Sequence, residues 1–137
     1  MTAIKQTCLV LLGVLLGSCY ASMPVEITSL WTYEEAPWSP HLLKLAHYAV
    51  STQTGGRTVY DTVVNITAAM TQTIGGADAK LTFTTAPSSC RIGQVAYSAK
   101  KCLPAGPANK KCIAYISVAP VVKTKKVANY TCSSTRN

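Results

Sequence analysis

The chain is poor in the residues that catalysis most often uses, and it lacks a long apolar run. Only two histidines, His41 and His47, occur in 137 residues, and acidic side chains number five. No G-x-S-x-G, H-E-x-x-H or phosphate-binding glycine loop is present, which argues against the common hydrolases and nucleotide-dependent enzymes. His47 falls off the apolar side of a helical segment and is expected at the surface. No C-x-x-C pair exists, so zinc-ligand spacing is missing, and neither a metal nor a cofactor is expected. No apolar run approaches the ~18 residues that cross a bilayer. Acidic residues are outnumbered by thirteen Lys and Arg, for a formal charge of +8. Positive charge gathers at Lys100-Lys101, Lys110-Lys111 and Lys123-Thr124-Lys125-Lys126. No aromatic platform interleaves these lysines, so nucleic acid is not an expected partner. They read as solvated loops, with attachment to acidic glycans or membranes, or steering toward acidic enzymes, as the functional alternative.

What is present begins with a targeting segment. Lys5 supplies a positive start, Leu9 to Leu16 a short apolar run, and Cys19-Tyr20-Ala21 ends in a small residue suited to cleavage. Residues 1–21 are therefore expected to be a signal peptide and 22–137 one extracellular domain. Loss of Lys5 takes the formal charge from +8 to +7.

Ser22 to Trp38 has no clean period and reads as an extended arm with a short strand. Ser39-Pro40 is a helix start, serine as cap and proline at the first helical position. Leu42, Leu45, Ala46, Ala49 and Val50 then form one apolar stripe. Gly55-Gly56 ends the helix soon after Gln53. Next come two period-2 segments. Tyr60, Val64, Ile66, Ala68 and Met70 share one parity, with Asp61, Asn65, Thr67 and Thr71 on the other. Ala77, Ala79, Leu81 and Phe83 oppose Asp78, Lys80, Thr82 and Thr84. Between them lies Gln72-Thr73-Ile74-Gly75-Gly76, the tip of an antiparallel hairpin. A loop from Ser88 to Lys111 leads to strands Ile113 to Ala119 and Lys126 to Thr131, joined near Pro120 to Thr124. The fold class is α+β: one long helix packed across a four- to five-stranded antiparallel sheet.

Cys8 and Cys19 leave with the signal peptide. Cys90, Cys102, Cys112 and Cys132 remain, and an even number in a small secreted domain means disulfides. A hairpin centred near residue 122 sets Cys112 opposite Cys132. Cys90 and Cys102 are then left to each other. Asn65-Ile66-Thr67 and Asn129-Tyr130-Thr131 are N-glycosylation sequons.

The helix, the Q-x-[VI]-x-G hairpin, two successive cysteine pairs and a proline-bearing last hairpin together resemble the secreted (type 2) cystatins, inhibitors of papain-like cysteine proteases. Spacing carries the resemblance. Fourteen positions separate Gly76 from Cys90, twenty separate Cys112 from Cys132, and Pro120 stands eight after Cys112. The helix text Leu45-Ala46-His47-Tyr48-Ala49-Val50-Ser51-Thr52 is similar to that of tick cystatins.

The resemblance implies a monomeric, secreted, reversible competitive inhibitor of cathepsins such as L, S and C. Three segments would enter the protease cleft. The first loop would use Gln72, Thr73, Ile74, Gly75 and Gly76, and the second Pro120 and Val121, where the family has Pro-Trp. The N-terminal trunk would use Ser29 and Leu30, where the family has a glycine; none occurs between Gly17 and Gly55. These departures motivate an alternative, a cystatin-fold secreted binding protein acting through its basic surface without inhibition. The Ser-Asn-Asp of legumain-inhibiting members is absent from Thr52 to Arg57, so that activity is not expected.

Overall fold

The computed structural model describes residues 30–73 and 76–135. The expected signal peptide with Cys8 and Cys19, and the expected site residues Ser29, Ile74 and Gly75, lie outside the described residues. In chain order the elements are β1 (Thr32–Glu34), α1 (Pro40–Ser51), β2 (Val59–Gln72), β3 (Ala77–Arg91), β4 (Lys110–Val118) and β5 (Lys125–Ser134).

α1 starts where the cap residues place it. Ser39 stays extended, and its hydroxyl oxygen accepts from the Leu42 N–H at 3.3 Å. This satisfies one of the donors that a helix start leaves orphaned, while Pro40 has none to satisfy. The stripe Leu42, Leu45, Ala46, Ala49 and Val50 is buried throughout. At the far end the Thr52 N–H and hydroxyl both turn back to the Ala49 carbonyl, closing the helix at Ser51.

All five strands form one antiparallel sheet in the order β1-β2-β3-β4-β5. α1 lies on one face, over Ile66 and Ala69 of β2, Leu81 and Phe83 of β3, and Ala114 and Ile116 of β4. Leu81 and Phe83 are fully buried, and truncating Phe83 to alanine would cost about 3–5 kcal/mol. Alternation holds along β3 from Ala77 to Thr85 and along β4, where Cys112, Ala114 and Ile116 face in.

It fails along β2. Val64 and Ala68, expected inside, are exposed; Asp61, expected outside, is buried, and so is Ala69. The cause is a pair of register shifts, one between Val63 and Asn65 and one between Ile66 and Ala68. Each inserts a β2 residue with no partner on β3, and an extra residue reverses the parity of everything beyond it. Core residues thus recur at Val63, Ile66 and Ala69. The Trp38 indole N–H donates to the Ile66 carbonyl at 2.9 Å beside the second bulge.

The end of the sheet where β3 stops and β4 begins is closed by side chains. Cys90 is joined to Cys102 and Cys112 to Cys132, both as expected. The buried Asp61 carboxylate takes ion pairs from Arg57 and from Lys110, the latter at 3.0 Å. β3 runs on to Arg91, past the expected loop start at Ser88, because Arg91 pairs with Val59 and Ser88 bridges to Pro104. The loop after β3 brings Tyr97 onto the helix. Its hydroxyl lies 2.6 Å from Nδ1 of His47 and 3.1 Å from the Thr62 hydroxyl. His47 is therefore half-buried, where the sequence placed it at the surface. Burial pushes its pKa below the ordinary 6.5.

Candidate functional site

An antiparallel meander returns alternate strand ends to the same side. Thr32 pairs with Thr71, Gln72 with Asp78, Ala77 with Val118, and Val118 with Lys125. The start of β1, the β2–β3 loop and the β4–β5 loop therefore meet at one end of the sheet. These are the three segments that the family resemblance implied, far apart in the chain and adjacent in space.

The first loop is braced at its base. Gln72 Nε2 donates to Asp78 Oδ2 at 2.8 Å, directly across the hairpin. Gly76 closes the loop with φ +141°, a conformation that side chains rarely adopt. Its second role lies within the molecule itself. A Cβ on Gly76 would stand 2.9 Å from the Val118 carbonyl oxygen and 3.5 Å from Cδ of Pro120. Only glycine lets the two loops pack this closely.

The second loop is held by its own backbone. The Ala119 N–H donates to the Thr124 carbonyl and the Lys123 N–H to the Ala119 carbonyl, each at 3.0 Å. Lys123 takes a positive φ of 52° to complete the turn. The loop thrusts Val121 into solvent at 89% exposure, with Val122 at 73%. Two adjacent valines so placed form a small apolar tip. On the trunk side Leu30 is 44% exposed, and the Thr71 hydroxyl donates to Glu34 Oε1 at 2.7 Å, tying β1 to the first loop's strand.

Leu30, Gln72, Thr73, Gly76, Pro120 and Val121 thus come to one edge. Four further residues belong with them that the sequence did not single out: Glu34, Asp78, Val118 and Val122. Asp78 carried a readable signal, since a hairpin centred on Gly75 sets position 78 opposite Gln72. Val118 carried none, because its contribution is a backbone carbonyl. Among the described residues no group of three or more His, Cys, Asp or Glu is placed to hold a metal ion. No described helix is long and apolar enough to cross a membrane.

No model of a protein family matches the chain. Individual proteins do. Cystatin-2 of Ornithodoros moubata is 42% identical over 122 residues, covering 88% of this chain and 94% of its own length. The chain belongs to the cystatin family. Mialostatin of Ixodes ricinus is 40% identical over 100 residues, 72% of this chain and 71% of the relative. The crystal structure of a salivary cystatin from the soft tick Ornithodoros moubata superposes with a TM-score of 0.70 at 41% identity, covering 75% of this chain and 95% of that one. Mialostatin, a gut cystatin of the hard tick Ixodes ricinus, superposes with a TM-score of 0.73 at 38% identity, covering 77% and 99%. This cystatin is thus similar to those of ticks. Cystatins inhibit cysteine proteases and are not themselves enzymes.

Proposed function

We propose that this cystatin is a secreted, reversible, competitive inhibitor of papain-like cysteine proteases, cathepsins L, S and C among them, and that it acts as a monomer. Leu30 with Ser29, the loop from Gln72 to Gly76, and Pro120 with Val121 form the wedge that enters the cleft. The observation that carries this reading is the close approach of Gly76 to the Val118 carbonyl, which leaves no room for a Cβ. It sets the two loops side by side at the end of the sheet, so less ordering entropy remains to be lost on binding. Val121 and Val122 offer exposed apolar area at the leading tip. The protease holds its reactive cysteine at the floor of a groove. Loops that fill both sides of that cysteine exclude substrate, and none presents a peptide bond in attack geometry. The inhibitor does no chemistry and is released intact.

Secretion rests on the charge and apolar pattern of residues 1–21, with one domain following from 22 to 137. Steady-state titration of papain and cathepsin L with protein beginning at Ser22 tests the proposal. Rising substrate should overcome inhibition, and mass spectrometry after long incubation should find an uncut inhibitor. Absence of inhibition at micromolar protein would overturn the reading in favour of a binding protein that uses its basic surface. Cleavage within the loops would overturn the wedge.

A further inference from the structure

Two β-bulges stand beside the two sequons. On β2 the order is Val63 in, Val64 and Asn65 out, Ile66 in. On β5 it is Val127 partly in, Ala128 and Asn129 out, Tyr130 partly in, with the register shift opposite the Tyr115–Ile116 step. Strict alternation from either inward valine would have turned the asparagine toward the helix. In both strands the extra residue carries it to the solvent face instead. Asn65 pairs with Thr84 and Thr84 with Lys111, and Asn129 pairs with Tyr115. All of these stand on the sheet face away from α1. Both asparagines are exposed, so a two-sugar core on either projects into solvent.

We propose that Asn65 and Asn129 are both N-glycosylated, and that the first sugar of the Asn129 glycan lies on the ring of Tyr115. The proposal rests on the secretory reading of residues 1–21. The donor is an oligosaccharide linked through pyrophosphate to a polyprenyl lipid. Asn Nδ2 forms a bond to the sugar's C1, the C1–oxygen bond to the lipid pyrophosphate breaks, and the amide gives up one proton. The hydroxyls of Thr67 and Thr131 complete the sequons. Directly paired side chains on neighbouring strands stand about 5 Å apart at Cβ, which brings the sugar on Asn129 over Tyr115. That ring is partly exposed, and Lys80 Nζ stands 5.4 Å from its centroid. The apolar CH face of a hexose covers such a ring and removes both from water. Asn65 faces a threonine across the ladder and has no such platform, so it serves as the internal reference.

The test is expression of the full chain, with residues 1–21 intact, in insect cells. Medium and cell fractions are treated with an amidase that converts each glycosylated asparagine to aspartate, and the peptides are mapped. Two glycans are expected on the secreted protein, one lost in Asn65→Gln and the other in Asn129→Gln. On the native protein, release should be slower at Asn129 than at Asn65. Tyr115→Ala should speed it severalfold at Asn129 alone, and Tyr115→Phe should leave it unchanged. Secreted protein unmodified at either asparagine overturns the double assignment while the secretory reading stands. A cell-retained chain without glycans overturns both. Equal release rates, unaffected by Tyr115→Ala, overturn the stacking.

Discussion

The two ends of the sheet are built by different means. At one end Asp61 is buried between Arg57 and Lys110, Tyr97 joins His47 to Thr62, and Cys90 is bonded to Cys102. At the other, loops project exposed valines, held mainly by backbone hydrogen bonds and by the close approach that Gly76 permits. The first end works through covalent and charged contacts that oppose unfolding. The second keeps apolar side chains in water, which is unfavourable for the free protein and is what the proposed wedge would bury in a groove. If the proposed wedge binds the protease, stability and recognition are separated in space, and substitutions should respect the separation.

The largest expected effect is on stability. Replacing both Cys112 and Cys132 by alanine opens a bridge with a sequence separation of 20. It should cost about 3 kcal/mol in the chain-entropy account. Chemical denaturation would measure this, and inhibition well below the unfolding transition should be unchanged. A large loss of inhibition there would break the separation.

Gly76→Ala should do the reverse. The new methyl meets the Val118 carbonyl, so the loops relax apart in the free protein and must be forced back on binding. That strain is about 1–3 kcal/mol, roughly a five- to 150-fold weaker inhibition, with little change in melting temperature. Gly76→Glu should be worse, since it adds a charge at the desolvated tip. Equal inhibition by parent and alanine variant would show that the loop contact does not set the bound geometry.

Val121→Trp should sharpen the recognition end. Tryptophan dominates many interface energies, and the present valine supplies a fraction of its area. A gain of about 1.4 kcal/mol, roughly tenfold, is expected as slower dissociation from at least one papain-like endopeptidase. Surface-binding kinetics would read it, and unchanged off-rates across several cathepsins would place this loop outside the interface.

A smaller effect belongs to Asp78, which has no place in the core. Asp78→Ala removes the acceptor for Gln72 Nε2 and should weaken inhibition by about 1 kcal/mol. Asp78→Asn keeps an acceptor and should restore most of it. In a double-mutant cycle with Gln72→Ala the two losses should not add. Additive losses would mean that Asp78 acts independently of Gln72.

The smallest lies at the stabilising end. Burial holds His47 neutral below its ordinary 6.5. The unfolded chain therefore binds a proton first as pH falls, and stability should decline from 6.5 downward until the folded histidine also protonates. His47→Gln should reduce that slope without altering inhibition measured at neutral pH. An unchanged slope would place the titration elsewhere.

Much of this protein was legible in local patterns. Ser39-Pro40 and the stripe from Leu42 to Val50 specified α1, because capping and a 3.6-residue period depend on neighbours within two turns. The hairpin about residue 122 specified the Cys112–Cys132 pair, because antiparallel register follows from a turn's position. Gln72 to Gly76 announced a loop by its two glycines and by the period-2 segment on each side of it. The burial of Asp61 and Ala69, and the exposure of Val64, were decided elsewhere. Whether β2 carries a bulge depends on what β3 offers each of its hydrogen-bonding groups, and a period-2 reading of one strand contains no term for its partner. The role of Gly76 was hidden in the same way. What it must avoid is a backbone oxygen at Val118, and only the pairing of β3 with β4 brings that atom near.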